Sequence, residues 1–420
     1  MILQKLKTFF GEETRYMKTT ILKNVRLITG KQIVDGATIV IEDGKIRSVG
    51  KSGEHVDGDV VYDLKGKIAA PGLCDIHTHG AGGSWGFSFN SDDILNMART
   101  LVRFGVTSFL PTTVSLPPEE TKKAVLSIIE TMRRQPGAAI FNDTTTRNPS
   151  EGARILGINM EGPFLSLEKP GAHNPASIRN INLKEMEEII AAGERGIKVW
   201  TLAPEIPGGL EAIELLASRS IVPALGHTNC TFDMAKEAVR KGAHLFTHLF
   251  NAMRAVHQRE PGGAIAAMLL PEACLELIAD GHHLHPEILR LVVRAKQNEK
   301  IILITDAISA AGMEEGKFPM WGFDAIIKDG TAQLPDGTLA GSILTLNRAV
   351  KNMVLFTGIP IKEAIAMASI NPLTLLSLDK HAGTIEPGKA ADIAVFDDDL
   401  CCHATFVGGT LMYQSENFLI

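Results

Sequence analysis

Eight short apolar runs, spaced through the middle of the chain and separated by amphipathic segments, constrain its fold more than any other feature. The runs are "GLCDIHTH", "TSFLPTT", "RILGINME", "IKVWTLAPE", "IVPALGHT", "AHLFTHLF", "LELIADGHH" and "IILITDA". Between them lie "SDDILNMARTLVRFG", "PPEETKKAVLSIIETMRR", "NLKEMEEIIAAG", "TFDMAKEAVRKG" and "HPEILRLVVRAKQN", each with apolar residues at helical spacing. Alternating strands and helices build parallel sheets, and eight such units are what a (β/α)8 TIM-type barrel requires. Both ends have another texture. "TTILKNVRLITG", "ATIVIEDGKIRSVG" and "VVYDLKGKIAA" near the start, and "AGTIEPGKAADIAVFDDD" and "ATFVGGTLMY" near the end, are short, β-rich and broken by turn residues. The expected architecture is α/β: a barrel over 71–375 and a small β-sandwich domain assembled from 1–70 and 376–420. Because Met17 directly precedes the first strand-like run, residues 1–16 are read as an extension or an upstream start.

The composition agrees. With 420 residues, 45% hydrophobic and 21% charged, the chain is long enough for a large core plus a second small domain. A net charge of −6 without a basic block gives no footing for nucleic acid or an anionic membrane. Five cysteines, odd in number and lacking a C-x-x-C pair, suit a reducing compartment, and the N-terminal apolar pieces are too short for a signal peptide or a membrane span. A cytoplasmic enzyme is the expectation.

In a barrel of this kind the active site is built at the C-terminal ends of the strands. The polar residues fall there: Asp75, His77 and His79 on the first run, Glu161 on the third, His227 on the fifth, His248 on the sixth, Asp280, His282 and His283 on the seventh, Asp306 on the eighth. Residues two apart share a strand face, so His77 and His79 can offer their rings to one ion. Imidazoles with carboxylates suit zinc or a similar divalent transition metal. Asp306 closes the apolar run "IILIT", where a buried charge needs a metal, a proton-transfer role or a helix to cap. Asp75 shares a face with His77 and His79 and is read as a partner that orients an imidazole.

The motifs "DIHTHG", "GINMEGPFLS", "GAHNP", "LAPE", "GHTN", "THLFNAM", "REPG", "ADGHH", "TDA", "LAGS" and "GTIEPGKAADI" run in order from about Thr19 to Tyr413. Together they resemble the N-acetylglucosamine-6-phosphate deacetylases of the amidohydrolase superfamily. H-x-H and Thr-Asp-Ala are general to the superfamily, whereas "EGPF", "GAHNP" and "THLFNAM" with "REPG" are particular to these deacetylases. The resemblance implies Glu161, His227 and His248 as ligands of one divalent ion (Zn, Fe, Mn or Co), with His77 and His79 serving a second and Glu161 bridging. Some members lack the first-strand pair and hold one ion; this chain has it, so both one and two ions stay open. His173 would polarise the acetyl carbonyl, His283 (or its neighbour His282) would contact the sugar, and Asn251 and Ala252 would meet the phosphate. Arg259 would reach the phosphate from the other subunit of a homodimer. Asp306 would act as base and then acid, releasing acetate and glucosamine 6-phosphate. Two other readings use the same fold. One is another amidohydrolase, dihydroorotase-like or aminoacyl-deacetylating, of a kind that often bridges its metals with a carboxylated lysine, where this chain has Glu161. The other is a non-catalytic scaffold, against which the full ligand set argues.

Overall fold

The computed structural model describes residues 19–29, 32–51, 58–135, 151–320, 324–334, 337–416 and 418; the proposed extension at 1–16 lies outside them. Strands β1 (Thr19–Ile28), β2 (Ile33–Glu42), β3 (Lys45–Lys51), β4 (Val60–Asp63) and β5 (Ile68–Pro71) open the chain. The next strand, β6 (Leu73–Thr78), begins after the single residue Gly72 and belongs to a different layer.

The hairpin β7 (Gly80–Ala81) and β8 (Ser84–Trp85) follows β6. Then come β9 (Val106–Pro111), β10 (Arg154–Ile155), β11 (Ile158–Glu161), β12 (Ile197–Leu202), β13 (Val222–Leu225), β14 (Leu245–Phe246), β15 (Cys274–Ile278) and β16 (Ile301–Ile304). The order β10-β9-β6 and the order β11-β12-β13-β14-β15-β16 are parallel throughout. A parallel bridge between Thr112 and Asn159 joins β9 to β11. Backbone hydrogen bonds from Asp306 to His77 (2.9 Å) and from His79 to Ala307 (2.8 Å) join the last strand's end to the first. Taking β10 and β11 as one interrupted stave, the described residues make the eight parallel strands of a TIM-type α/β fold. The sequence-derived helices form with their caps: Asn182 and Thr231 accept backbone N–H groups at the starts of Leu183–Ala192 and Phe232–Arg240, and Pro286 opens Pro286–Ala295.

Two features differ from the expectation. A small antiparallel sheet, β17 (Gly316–Pro319), β18 (Asp324–Lys328) and β19 (Thr331–Gln333), projects after β16 and has its own small core around Ile308, Met320, Ile327 and Ala340. Helices Gly209–Ser218, Gly262–Leu269 and Leu346–Thr357 also form where no periodic segment was singled out; the second is so rich in alanine and glycine that it carries little amphipathic contrast.

The chain ends with β20 (Ile393–Phe396), β21 (Cys402–Val407) and β22 (Thr410–Gln414). They join the first strands in one eight-stranded sheet of order β22-β21-β20-β5-β1-β2-β3, with β4 paired to β1. Both chain ends therefore build the same sheet, with β5 and β20 antiparallel at the junction. A buried ion pair, Arg154–Asp392 at 2.8 Å, ties a barrel stave to the residue before β20. Among the described residues no helix is long and apolar enough to cross a membrane.

Candidate metal centre

Glu161, the last residue of β11, sits at the centre of the strand ends and is 3% exposed. On one side His248 Nε2 lies 2.9 Å and His227 Nε2 3.1 Å from its Oε1, with the two ring nitrogens 3.1 Å apart. On the other, His79 Nε2 lies 3.2 Å from Glu161 Oε2 and 3.2 Å from Asp306 Oδ1, while His77 Nε2 is 3.5 Å from Glu161 Oε1 and 3.6 Å from Asp306 Oδ1. The four histidines implied as ligands and Asp306 therefore gather, from four different strand ends, around the Glu161 carboxylate at a fifth.

The protons on these rings decide what they can do. His79 Nδ1 faces the Thr112 carbonyl at 3.2 Å, His227 Nδ1 the Lys169 carbonyl at 3.0 Å, and His77 Nδ1 the Glu276 carboxylate at 3.0 Å. An acceptor on the Nδ1 side places a proton there and leaves the Nε2 lone pair for a cation. Lone pairs aimed at one another and at carboxylate oxygens repel unless a cation lies between them, and His77 Nε2 is buried with no hydrogen-bond partner among the described residues. The donor set thus fits a divalent transition metal.

His173 lies close enough to Glu161 (3.1 Å) and His227 to join a ligand set on distance alone. Its tautomer argues otherwise. The backbone N–H of Ser115 donates to His173 Nδ1 at 3.0 Å, so the ring's own proton is on Nε2, facing Glu161. This imidazole presents a donor where its neighbours present lone pairs.

The site is strongly polarised. Burial opposes the charge on Glu161, but His77, His227 and His173 hold its carboxyl well below the usual range. Burial opposes charge on Asp306 too, yet the neighbouring His79 and His77 lower it to about 2, so it is ionised. Burial likewise disfavours charge on His79, but the Asp306 and Glu161 carboxylates outweigh it and raise the ring to about 9, so a positive charge at its Nε2, proton or metal ion, is what those carboxylates favour; burial wins at His227, lowered to about 4.

Three of these residues stand just beyond their strands with left-handed backbones: His227 at φ 47°, His248 at φ 30° and Asp306 at φ 49°. The left-handed turn swings each side chain back across the barrel mouth. Beside them opens a cavity of about 290 Å³ lined by His79, Glu161, His173, His227, His248, Asn251, Ala252, His283 and Asp306, with Met320 and Thr338–Gly341 on the far wall. Residues flanking the projecting sheet, Met320 just after β17 and Thr338–Gly341 after β19, thus help enclose it.

His283 lines the cavity; His282 is exposed beside Gly330. Asp280 accepts from His283 Nδ1 at 2.6 Å, leaving that ring's Nε2 as an acceptor. Asn251 and Ala252 line the wall, whereas Arg259 is exposed and does not line its own chain's cavity. Asp75 must be corrected. Its carboxylate accepts from the Thr305 hydroxyl (2.6 Å) and the backbone N–H of His77 (3.3 Å), so it braces the seam between β6 and β16. The carboxylate that does touch an imidazole, Glu276, escaped the sequence reading, although an acid inside the apolar run "CLELI" carries the same signal as Asp306 after "IILIT". Ser115 and Thr112 act through their backbones, which no side-chain pattern reveals.

Comparison with known proteins agrees with this geometry. Residues 68–412 match the Amidohydrolase family. The N-acetylgalactosamine-6-phosphate deacetylase of Escherichia coli O157:H7 is 34% identical over 94% of this chain and 99% of its own, and the human N-acetylglucosamine-6-phosphate deacetylase is 34% identical over 93% and 91%. The crystal structure of N-acetylglucosamine-6-phosphate deacetylase from Pasteurella multocida superposes with a TM-score of 0.86 at 30% identity, covering 94% of this chain and 100% of that one. With histidines and acids gathered at the ends of parallel strands, and relatives aligned over nearly its whole length, the chain belongs to the amidohydrolase family.

Proposed function

We propose that the protein deacetylates N-acetyl-D-glucosamine 6-phosphate to D-glucosamine 6-phosphate and acetate, in amino-sugar catabolism. The observation that carries this is Glu161 set between two pairs of imidazoles, His227 and His248 on one side and His77 and His79 on the other, with the His173 N–H directed at the same carboxylate. The human and Pasteurella relatives, both N-acetylglucosamine-6-phosphate deacetylases, supply the substrate.

In this reading Glu161, His227 and His248 would hold one divalent ion (Zn, Fe, Mn or Co), and His77 and His79, with the same Glu161, would hold a second. Such ions, when bound, lower the pKa of water toward neutrality and polarise a carbonyl. His173 donates its Nε2 proton to the acetyl oxygen, stabilising the charge that develops as the carbonyl carbon becomes tetrahedral. Asp306, ionised, takes the proton from the attacking water and delivers it to the departing amine. His283 accepts a hydrogen bond from a sugar hydroxyl. Asn251 and Ala252 lie against the phosphate, and Arg259 completes its pocket across a homodimer interface with a charge-assisted hydrogen bond. The enzyme works in the cytoplasm.

The domain division 1–70 and 376–420 against 71–375 belongs to the same proposal, with the terminal sheet folded over as a sandwich. In support, Leu22, Ile39, Val395 and Phe406, from both ends of the sheet order, share one core separate from the barrel's.

A second reading, N-acetylgalactosamine 6-phosphate, is favoured by the name of the E. coli relative. The two sugars differ in configuration at C4. Acetate release from both phosphorylated sugars and from unphosphorylated N-acetylglucosamine, with metal analysis of the purified protein, tests the assignment. A kcat/KM highest for N-acetylglucosamine 6-phosphate is expected; a preference for the galactosamine compound replaces the first reading with the second, and no activity on either phosphorylated sugar overturns both.

A further inference from the structure

One fully buried acid takes no part in that chemistry. Glu276 lies in the middle of β15 between Leu275 and Leu277. Its Oε2 accepts from His77 Nδ1 at 3.0 Å and from the backbone N–H of His248 at 3.2 Å; its Oε1 has no hydrogen-bond partner among the described residues. A carboxylate half unpaired in an apolar strand is costly, and packing alone would be served better by a residue like its neighbours.

The Nδ1 atoms of His79 and His227 face neutral backbone carbonyls. His77 alone of the three faces an anion. A carboxylate behind a histidine fixes the ring's tautomer and orientation and makes its other nitrogen a stronger donor to a metal. The same oxygen also holds the backbone of His248, so it touches one residue from each side of Glu161.

We propose that Glu276 is a positioning residue that determines how tightly the His77–His79 pair holds an ion, by directing the His77 Nε2 lone pair toward Glu161 and Asp306. This rests on the two-ion reading of the site. Glu276 meets neither substrate nor ion, and its effect passes through His77.

The test uses the full chain as wild type, Glu276→Gln and Glu276→Ala, with metal equivalents measured by mass spectrometry after dialysis against graded chelator and kinetics run alongside. Wild type should retain two equivalents. Glu276→Gln, which keeps the shape and an acceptor but loses the charge, should release one ion at about 10- to 100-fold lower chelator strength while the other stays. Its kcat should fall with KM little changed, and excess metal should restore it. Glu276→Ala should purify with one equivalent; if it fails to fold, the shift in Glu276→Gln decides. Two equivalents in wild type with unaltered affinity in Glu276→Gln would overturn the inference and leave the two-ion reading standing. One equivalent in wild type would overturn both.

Discussion

The backbone N–H of Ser115 donates to Nδ1 of His173 at 3.0 Å, and this bond gives His173 a chemistry different from the histidines around it. A ring held in that tautomer cannot lend its Nε2 lone pair to a metal, but it can donate to an oxygen that gains charge. His173→Ala should therefore lower kcat by about 10²–10³-fold, the usual loss when one oxyanion donor is removed. Metal content should be unchanged. Loss of an ion equivalent on mass spectrometry would make His173 a ligand instead.

Asp306 is ionised and faces both His77 and His79. Asp306→Asn keeps the shape and removes the proton acceptor, so acetate release should fall by about 10²–10⁴-fold. Substrate affinity, measured by calorimetry on this inactive variant, should stay near the wild-type KM.

Gly171 illustrates how closely the loop after β11 approaches the site. At φ +56°, a Cβ there would lie 2.7 Å from Cε1 of the His227 ring. Gly171→Ala should displace that ring, with a loss of at least about 10-fold in metal affinity. Gly83→Ala is the control: its φ of +82° carries the same left-handed strain, but the space around it is open. It should lose about 1 kcal/mol of stability in denaturant titration and keep its metal.

Arg154 and Asp392 form a buried pair, with side chains 6% and 4% exposed, and Asp392 also accepts the Gly408 N–H at 2.7 Å. Removing one partner strands the other. Arg154→Met should cost about 3–5 kcal/mol in denaturant unfolding. Adding Asp392→Asn should recover part of that loss, because the stranded charge is gone.

Arg259 is exposed, clear of its own cavity, so the phosphate-binding role proposed for it requires a second subunit. Arg259→Ala should raise KM for the phosphorylated sugar by about tenfold or more, in keeping with a charge-assisted hydrogen bond, with kcat little altered and no effect on the unphosphorylated sugar. An unchanged KM would remove this residue from the site.

The staves and the strand-end residues were legible because barrel geometry turns a linear pattern into a spatial one. His77, Glu161, His227, His248 and Asp306 each stand at the end of an apolar run, and such ends meet at one mouth. The projecting sheet β17–β19 was illegible for the opposite reason. It is short, alternates weakly, and its strand β18 exposes Asp324, Ile326 and Lys328 in turn, so its small core comes from contact with the barrel rim. Asp75 was misread because sharing a face with the histidines was taken as contact with a ring, whereas its carboxylate turns to Thr305. Burial there lifts it to about 7.

The left-handed turns at His227, His248 and Asp306 bear on design. Each asks a residue with a Cβ to adopt a backbone that glycine takes far more readily. A sequence chosen for this backbone by stability alone would write glycine at all three positions, fold well, and have no activity. What separates this chain from such an inert copy is three residues at which the fold is less comfortable than it could be.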